Sequence, residues 1–132
     1  MKKSIVPFLI FTILISIQGL GQDPALNIYT ASLQGNLEAV QQYINAGTNL
    51  NEKDAYGSTP LIIATTFGRT EVARALIEAG VDMTIANNQG STPLHIAALF
   101  GDTAIVRMLL GNGANRFLRN NEGSTAYDIV AA

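Results

Sequence analysis

The sequence predicts an all-α fold in which a pair of short helices is repeated along the chain, and three observations predict it. Glycines recur every 33 residues, a Thr-Pro pair suited to a helix start recurs at the same period, and an amphipathic stretch follows each pair. A fixed period of about 20 to 50 residues is the mark of a repeat protein. The glycine series are Gly35, Gly68 and Gly101; Gly47, Gly80 and Gly113; and Gly57, Gly90 and Gly123.

The first element along the chain is an apolar segment with the features of a secretory signal. Lys2 and Lys3 precede an apolar run over residues 5–17, and Gly19 and Gly21 are small residues next to a cleavage point after Gly21. The run is shorter than the roughly 20 apolar residues that a membrane-spanning helix needs. We therefore expect residues 1–21 to be a cleaved signal peptide, with an uncleaved anchor as the alternative. A short leader that begins with lysines favours a bacterial protein exported to the periplasm or the exterior.

Composition and charge exclude several classes of protein. The chain has 132 residues, of which 48% are hydrophobic, and a net charge of −2, which excludes a disordered or low-complexity protein. Loss of Lys2 and Lys3 with the signal leaves six bases against ten acids, a net charge of −4. We therefore expect no nucleic acid as a partner, and no membrane after cleavage. The absence of cysteine excludes disulfides and a thiolate nucleophile.

The first helix of each pair is predicted from its start and its end. Thr59 and Thr92 are suited to cap a helix, because the hydroxyl can accept a free backbone N–H of the first turn. The proline that follows each threonine fits the first helical position, where its lack of an N–H costs nothing. Gly68 and Gly101 then allow the chain to reverse.

The second helix of each pair is predicted from an apolar stripe. The stretches 71–77 and 104–110 place apolar residues at i, i+4 and i+5, and a glycine follows each stretch. The alanines at 64, 97 and 98 would let neighbouring helices approach closely. The two stripes are Val72, Leu76 and Ile77, and Ile105, Leu109 and Leu110.

The segments Ser58–Asp82 and Ser91–Asn115 resemble ankyrin repeats. The second contains an intact Thr-Pro-Leu-His signature, whereas the first reads Thr-Pro-Leu-Ile. The resemblance implies a solenoid of stacked helix-turn-helix units with projecting β-turn loops, over residues 22–132. The expected units are 23–53, which is degenerate, 54–86, 87–119 and a partial cap at 120–132.

The partial cap has room for only one helix, from about Thr125 to Ala132. Terminal units normally shield the apolar face of a stack. We therefore expect part of the second helix of the third unit, around Ile105, Met108 and Leu109, to lack cover. The alternatives are that this end frays, that the sequence continues, or that another element packs there, and the last would favour weak self-association through this end.

The chain offers little for catalysis. His95 is the only histidine, and in an ankyrin-like signature the expected role of this side chain is to hydrogen-bond the backbone of the adjoining turn. No partner for a zinc site or a nucleophile elbow accompanies it. Glu71 and Asp102 could be considered as paired carboxylates, but they are more simply explained as acidic residues that favour a helix start. We expect no enzymatic activity, no metal and no cofactor.

The resemblance implies a binding surface on the concave side and at the turn tips. The alternative to an exposed role for Phe67 and Phe100 is that both fold back against the helix–helix turn. For Asn87–Asn88 and Asn120–Asn121, the alternative to partner binding is a role in the turn itself, because asparagine tolerates positive φ angles. We expect a protein–protein interaction module, with an envelope scaffold or an immunity or regulatory partner of an exported enzyme as the alternative. The expected partner-binding residues are Tyr56, Phe67, Asn88, Gln89, Leu99, Phe100 and Asn121.

Overall fold

The computed structural model describes residues 27–132, so the predicted signal peptide lies outside the described residues. Within this range the secondary structure is helical, with turns between the helices. The helices are α1 (Ile28–Gln34), α2 (Leu37–Asn45), α3 (Pro60–Thr66), α4 (Thr70–Glu78), α5 (Pro93–Phe100), α6 (Thr103–Gly111) and α7 (Ala126–Ala131).

The helices form two rows. α1, α3, α5 and α7 pack side by side in the inner row, and α2, α4 and α6 pack side by side in the outer row. Short connections join α1 to α2, α3 to α4 and α5 to α6, so each pair is a helical hairpin. This arrangement is the predicted stack of helix-turn-helix units. Within the described part of the chain, no helix has the length and apolar character needed to span a bilayer.

The predicted helix starts of the inner row are confirmed. Thr59 and Thr92 are N-caps whose hydroxyl oxygens accept hydrogen bonds from the N–H groups of Ile62 and His95, and a proline follows each. Asn27 serves α1 in the same way and accepts from Thr30 N–H at 2.9 Å. The caps satisfy backbone donors that a helix leaves unpaired.

The core lies between the two rows. Ala31, Ala64 and Ala97 are completely buried at the same position of three successive units. Because alanine has only a methyl group, the inner helices can approach closely there. Large aliphatic residues on the outer row, such as Leu76 and Leu109, fill the space that remains.

The expectation that Ile105, Met108 and Leu109 lack cover was wrong, since Ile105 and Leu109 are completely buried and Met108 is partly buried against the core. Ile105 and Leu109 face the interior, where α6 packs against α4 and α5. The apolar surface at this end is instead formed by other residues, which surround a groove of about 210 Å³. This end groove is lined by Leu94, Ala98, Val106, Leu110, Arg116, Ala126, Tyr127 and Val130.

Candidate partner-binding face

The three turn tips, residues 54–58, 87–91 and 120–124, are each closed by the side chain of their first residue. The Oδ1 atoms of Asp54, Asn87 and Asn120 accept hydrogen bonds from the N–H groups two and four residues later, at 2.9–3.0 Å. The prediction that the asparagines serve turn chemistry is confirmed at Asn87 and Asn120, but the reason given for it was wrong, because among the described residues only glycines have positive φ. Their amides act as hydrogen-bonding groups. The Oδ1 atoms of Asn87 and Asn120 accept the same two hydrogen bonds that the carboxylate of Asp54 accepts in the first tip.

A second set of asparagines joins one turn tip to the next. Asn88 Nδ2 donates to the carbonyl of Tyr56 at 3.2 Å, and Asn121 Nδ2 donates to the carbonyl of Asn88 at 3.0 Å. A Cβ at Gly57 or at Gly90 would collide with these carboxamides, and both glycines have positive φ. Glycine is therefore required there by the neighbouring unit as well as by its own turn.

His95 joins the third unit to the fourth. Its ring is 2% exposed, and Nδ1 accepts a hydrogen bond from Thr92 N–H at 3.1 Å while Nε2 donates to the carbonyl of Ser124 at 2.9 Å. Acceptance at Nδ1 places the proton on Nε2. The prediction that His95 hydrogen-bonds backbone in the adjoining turn is confirmed.

Two hollows lie between the inner helices and the turn tips. The first hollow, of about 660 Å³, lies between α1, α3 and the first tip. It brings together two of the predicted site residues, Tyr56 and Phe67. Tyr29 stands at its edge and ties α1 to the tip, because its hydroxyl donates to the carbonyl of Glu52 at 3.0 Å. The lining is Asn27, Tyr29, Thr30, Leu33, Asp54, Ala55, Tyr56, Ser58, Ile63 and Phe67.

The second hollow, of about 440 Å³, lies between α5, α7 and the last two tips. It brings together four more of the predicted residues, namely Asn88, Gln89, Leu99 and Asn121. Its lining is completed by Ser91, His95, Ile96, Asn120, Glu122 and Ile129. Six of the seven predicted residues therefore line one of the two hollows.

The floor of the hollows is a column of residues that the sequence analysis missed. Thr30, Ile63, Ile96 and Ile129 are spaced 33 residues apart and occupy the inner helices in turn. Ile63 and Ile96 are buried but do not belong to the core cluster between the two rows. The glycine period could have identified this column, because every position of the repeat shares that period.

The large apolar residues of this face are exposed. Phe67 and Phe100 are 54% and 60% exposed, so neither folds back fully against the helix–helix turn. Leu99 is 66% exposed and Tyr56 is 84% exposed. Phe100 lines neither hollow. Phe117, also an exposed aromatic, lies on the loop after α6, lines neither hollow and was not predicted.

Three of the four inner helices carry no charge. α1, α3 and α5 contain no Asp, Glu, Lys or Arg, whereas α7 carries Asp128 and the outer helix α4 carries Glu71, Arg74 and Glu78. The ionised groups that line the hollows are acids on the tips, one in each hollow: Asp54 and Glu122. Partial burial, together with the carboxylates of Glu52 and Asp54, raises the pKa of the Tyr29 phenol.

Comparison with known families identifies the class. The model of the family described as ankyrin repeats, in three copies, matches residues 28–129. The chain therefore belongs to the ankyrin-repeat family. A comparison with curated proteins finds no match. Among the described residues, no group of His, Asp or Glu is arranged to hold a metal ion. Ankyrin repeats are in general protein–protein interaction modules and are typically not catalytic.

Proposed function

We propose that this protein is an exported, non-catalytic module that binds a partner protein through the concave face of its ankyrin stack. The observation that supports it best is the alignment of the two hollows along one uncharged floor, which is aliphatic except for Thr30. Large exposed apolar side chains stand at their rims. Exposed aromatic and aliphatic groups around a concavity are typical anchors of an interface, because a few of them supply most of the binding energy.

The predicted residues have two kinds of role in this proposal. Tyr56, Phe67, Leu99 and Phe100 offer apolar surface to the partner, and Gln89 offers an exposed amide. The side-chain amides of Asn88 and Asn121 are engaged between neighbouring tips, so these two position the rim and contribute their remaining surface.

The test is affinity capture from the envelope and secreted fractions of the native cell. We expect the protein to retain a partner, and Phe67→Ser or Leu99→Ser to reduce the recovery severalfold or more. Phe117→Ser is the control, because it removes an aromatic that is even more exposed than Phe67, at 77% against 54%, and that lies outside both hollows. Equal recovery with all three variants, or loss with Phe117→Ser alone, would contradict the proposal.

Export is a separate part of the proposal. It is supported by the lysines at positions 2 and 3, the apolar run 5–17 and the small residues Gly19 and Gly21. We expect N-terminal sequencing of the protein from its native cell to begin at Gln22. A protein that retains Met1 and remains in the cytosol would contradict export.

Weak self-association through the C-terminal unit is a second proposal, supported by the end groove. Tyr127 and Val130 at its rim are 76% and 67% exposed. Sedimentation at increasing concentration should show a dimer that Val130→Asp disrupts. A monomer at all concentrations would remove this proposal and leave the concave face unaffected.

A further inference from the structure

We infer that the concave face binds an extended peptide segment of the partner that contains two apolar side chains five or six residues apart and no acidic residue near them. This inference rests on the proposed function and specifies its partner. It follows from the shape of the two hollows, their charge and the distance between them.

The shape and chemistry of the hollows favour one apolar side chain in each. The first hollow presents Leu33, Ile63 and Phe67 from the inner helices, and the second presents Ile96 and Leu99. An aliphatic or aromatic side chain in a hollow would remove the exposed surface of Leu33, Phe67 or Leu99 from water. An acidic side chain in either position would be desolvated with no lysine or arginine in the lining to offset its charge.

The charge of the rim excludes acidic residues from the segment. Asp54 and Glu122 each line one hollow, and their negative charge would repel a carboxylate. Arg119 does not offset them, because its guanidinium donates to the carbonyl of Gly123 at 2.6 Å and lies 3.7 Å from the carboxylate of Asp128. Lys53 lines neither hollow.

The spacing follows from the packing of the inner row. The first hollow lies between α1 and α3 and the second between α5 and α7, so their centres are two helix spacings apart. Packed helices lie about 8–10 Å apart, which gives a separation of roughly 16–20 Å. An extended chain advances about 3.3 Å per residue, so five or six residues cover that distance. A helical segment, which rises about 1.5 Å per residue, would need 11 or more.

An extended segment also suits the polar rim. The side chains of Ser58, Gln89 and Ser91 face the hollows from the tips. A peptide in extended conformation exposes its backbone N–H and C=O groups along both edges. These side chains can therefore bind the backbone while the hollows take the apolar side chains.

The test is selection from a displayed library of random 12-residue peptides on the purified full chain. We expect the enriched sequences to share two residues from Leu, Ile, Phe and Met at a separation of five or six, with Asp and Glu depleted. A synthetic peptide from this set should bind at least tenfold more weakly to Phe67→Ser and to Leu99→Ser. It should bind within twofold to Phe117→Ser, and circular dichroism should show that all three variants remain folded.

Several outcomes would overturn the inference. In the selection, they are enrichment of acidic peptides, of peptides with a single apolar anchor, or of peptides with the helical spacing i, i+4 and i+7, and the absence of any enrichment. In the binding measurement, the contradicting outcome is equal affinity of the synthetic peptide for all variants. If capture of the native partner still depends on Phe67 and Leu99, the proposed function stands and only the peptide inference fails. If capture is also indifferent to these residues, both fail.

Discussion

Replacement of His95 by alanine tests how the third and fourth units are held together. The substitution removes the acceptor of Thr92 N–H and the donor to the carbonyl of Ser124. That carbonyl keeps its hydrogen bond from Asn120 N–H at 2.9 Å, so the groups left without their partner are the Thr92 N–H and the Thr92 hydroxyl, whose oxygen lies 2.8 Å from Nδ1. A buried donor without a partner costs about 1–3 kcal/mol, and the cavity left by the ring adds roughly 1–2 kcal/mol.

We therefore expect His95→Ala to lower the free energy of unfolding by about 3 kcal/mol, a large share of a typical total of roughly 5–15 kcal/mol. Urea unfolding followed by circular dichroism at 222 nm measures it. His95→Asn is the informative companion, because its Oδ1 can replace Nδ1 as acceptor and should recover about 1 kcal/mol. Leu99→Ala, at an exposed position, serves as the control and should change stability by less than about 0.5 kcal/mol.

Two results would refute the reasoning. A loss below about 1 kcal/mol for His95→Ala would show that the hydrogen bonds contribute little. An Asn variant no more stable than the Ala variant would show that the cap acceptor is not the group that matters.

Three further predictions follow from the tips and from the titrating groups. Asn88→Ala should cost about 1 kcal/mol in the same urea titration, and no loss would argue against the link between tips. Gly57→Ala should cost more than Gly47→Ala, because both have positive φ but only the former meets a carboxamide, and equal losses would contradict this. Hydrogen bonds from the hydroxyl and backbone N–H of Thr84 lower the pKa of Asp82, so its stabilising effect is present above the unfolded pKa and is lost as pH falls through the lower folded pKa. A fall in the urea midpoint between about pH 5 and pH 3 should be smaller in Asp82→Asn, and an identical pH dependence would refute that assignment.

Local rules predicted most of the fold. Thr59 and Thr92 begin helices as predicted, because capping and the proline at the first position depend on neighbouring residues only. The 33-residue period extended the same geometry along the chain, and the resemblance to ankyrin repeats implied that the inner helices stack next to one another. The same resemblance implied the role of His95, whose hydrogen bond to the carbonyl of Ser124 reaches into the next unit.

The direction of individual side chains could not be predicted in the same way. Phe67 and Phe100 occupy the same position of the repeat, yet only Phe67 lines a hollow. The backbone at the two helix ends is alike, because Gly68 and Gly101 both take the left-handed conformation directly after the phenylalanine, so the local geometry does not account for the difference. Ile105 was expected at an open end but faces the core. Such differences arise from packing between units, which the spacing of residues does not determine.

The central claim, that the concave face binds a partner protein, is tested most directly by site-specific photo-crosslinking in the native cell. p-Benzoylphenylalanine would replace Phe67, Leu99 or Phe117 in turn, and adducts would be identified by mass spectrometry. We predict the same partner protein crosslinked from positions 67 and 99 and little or none from position 117. Adducts from position 117 alone, or equal adducts from all three positions, would contradict the claim.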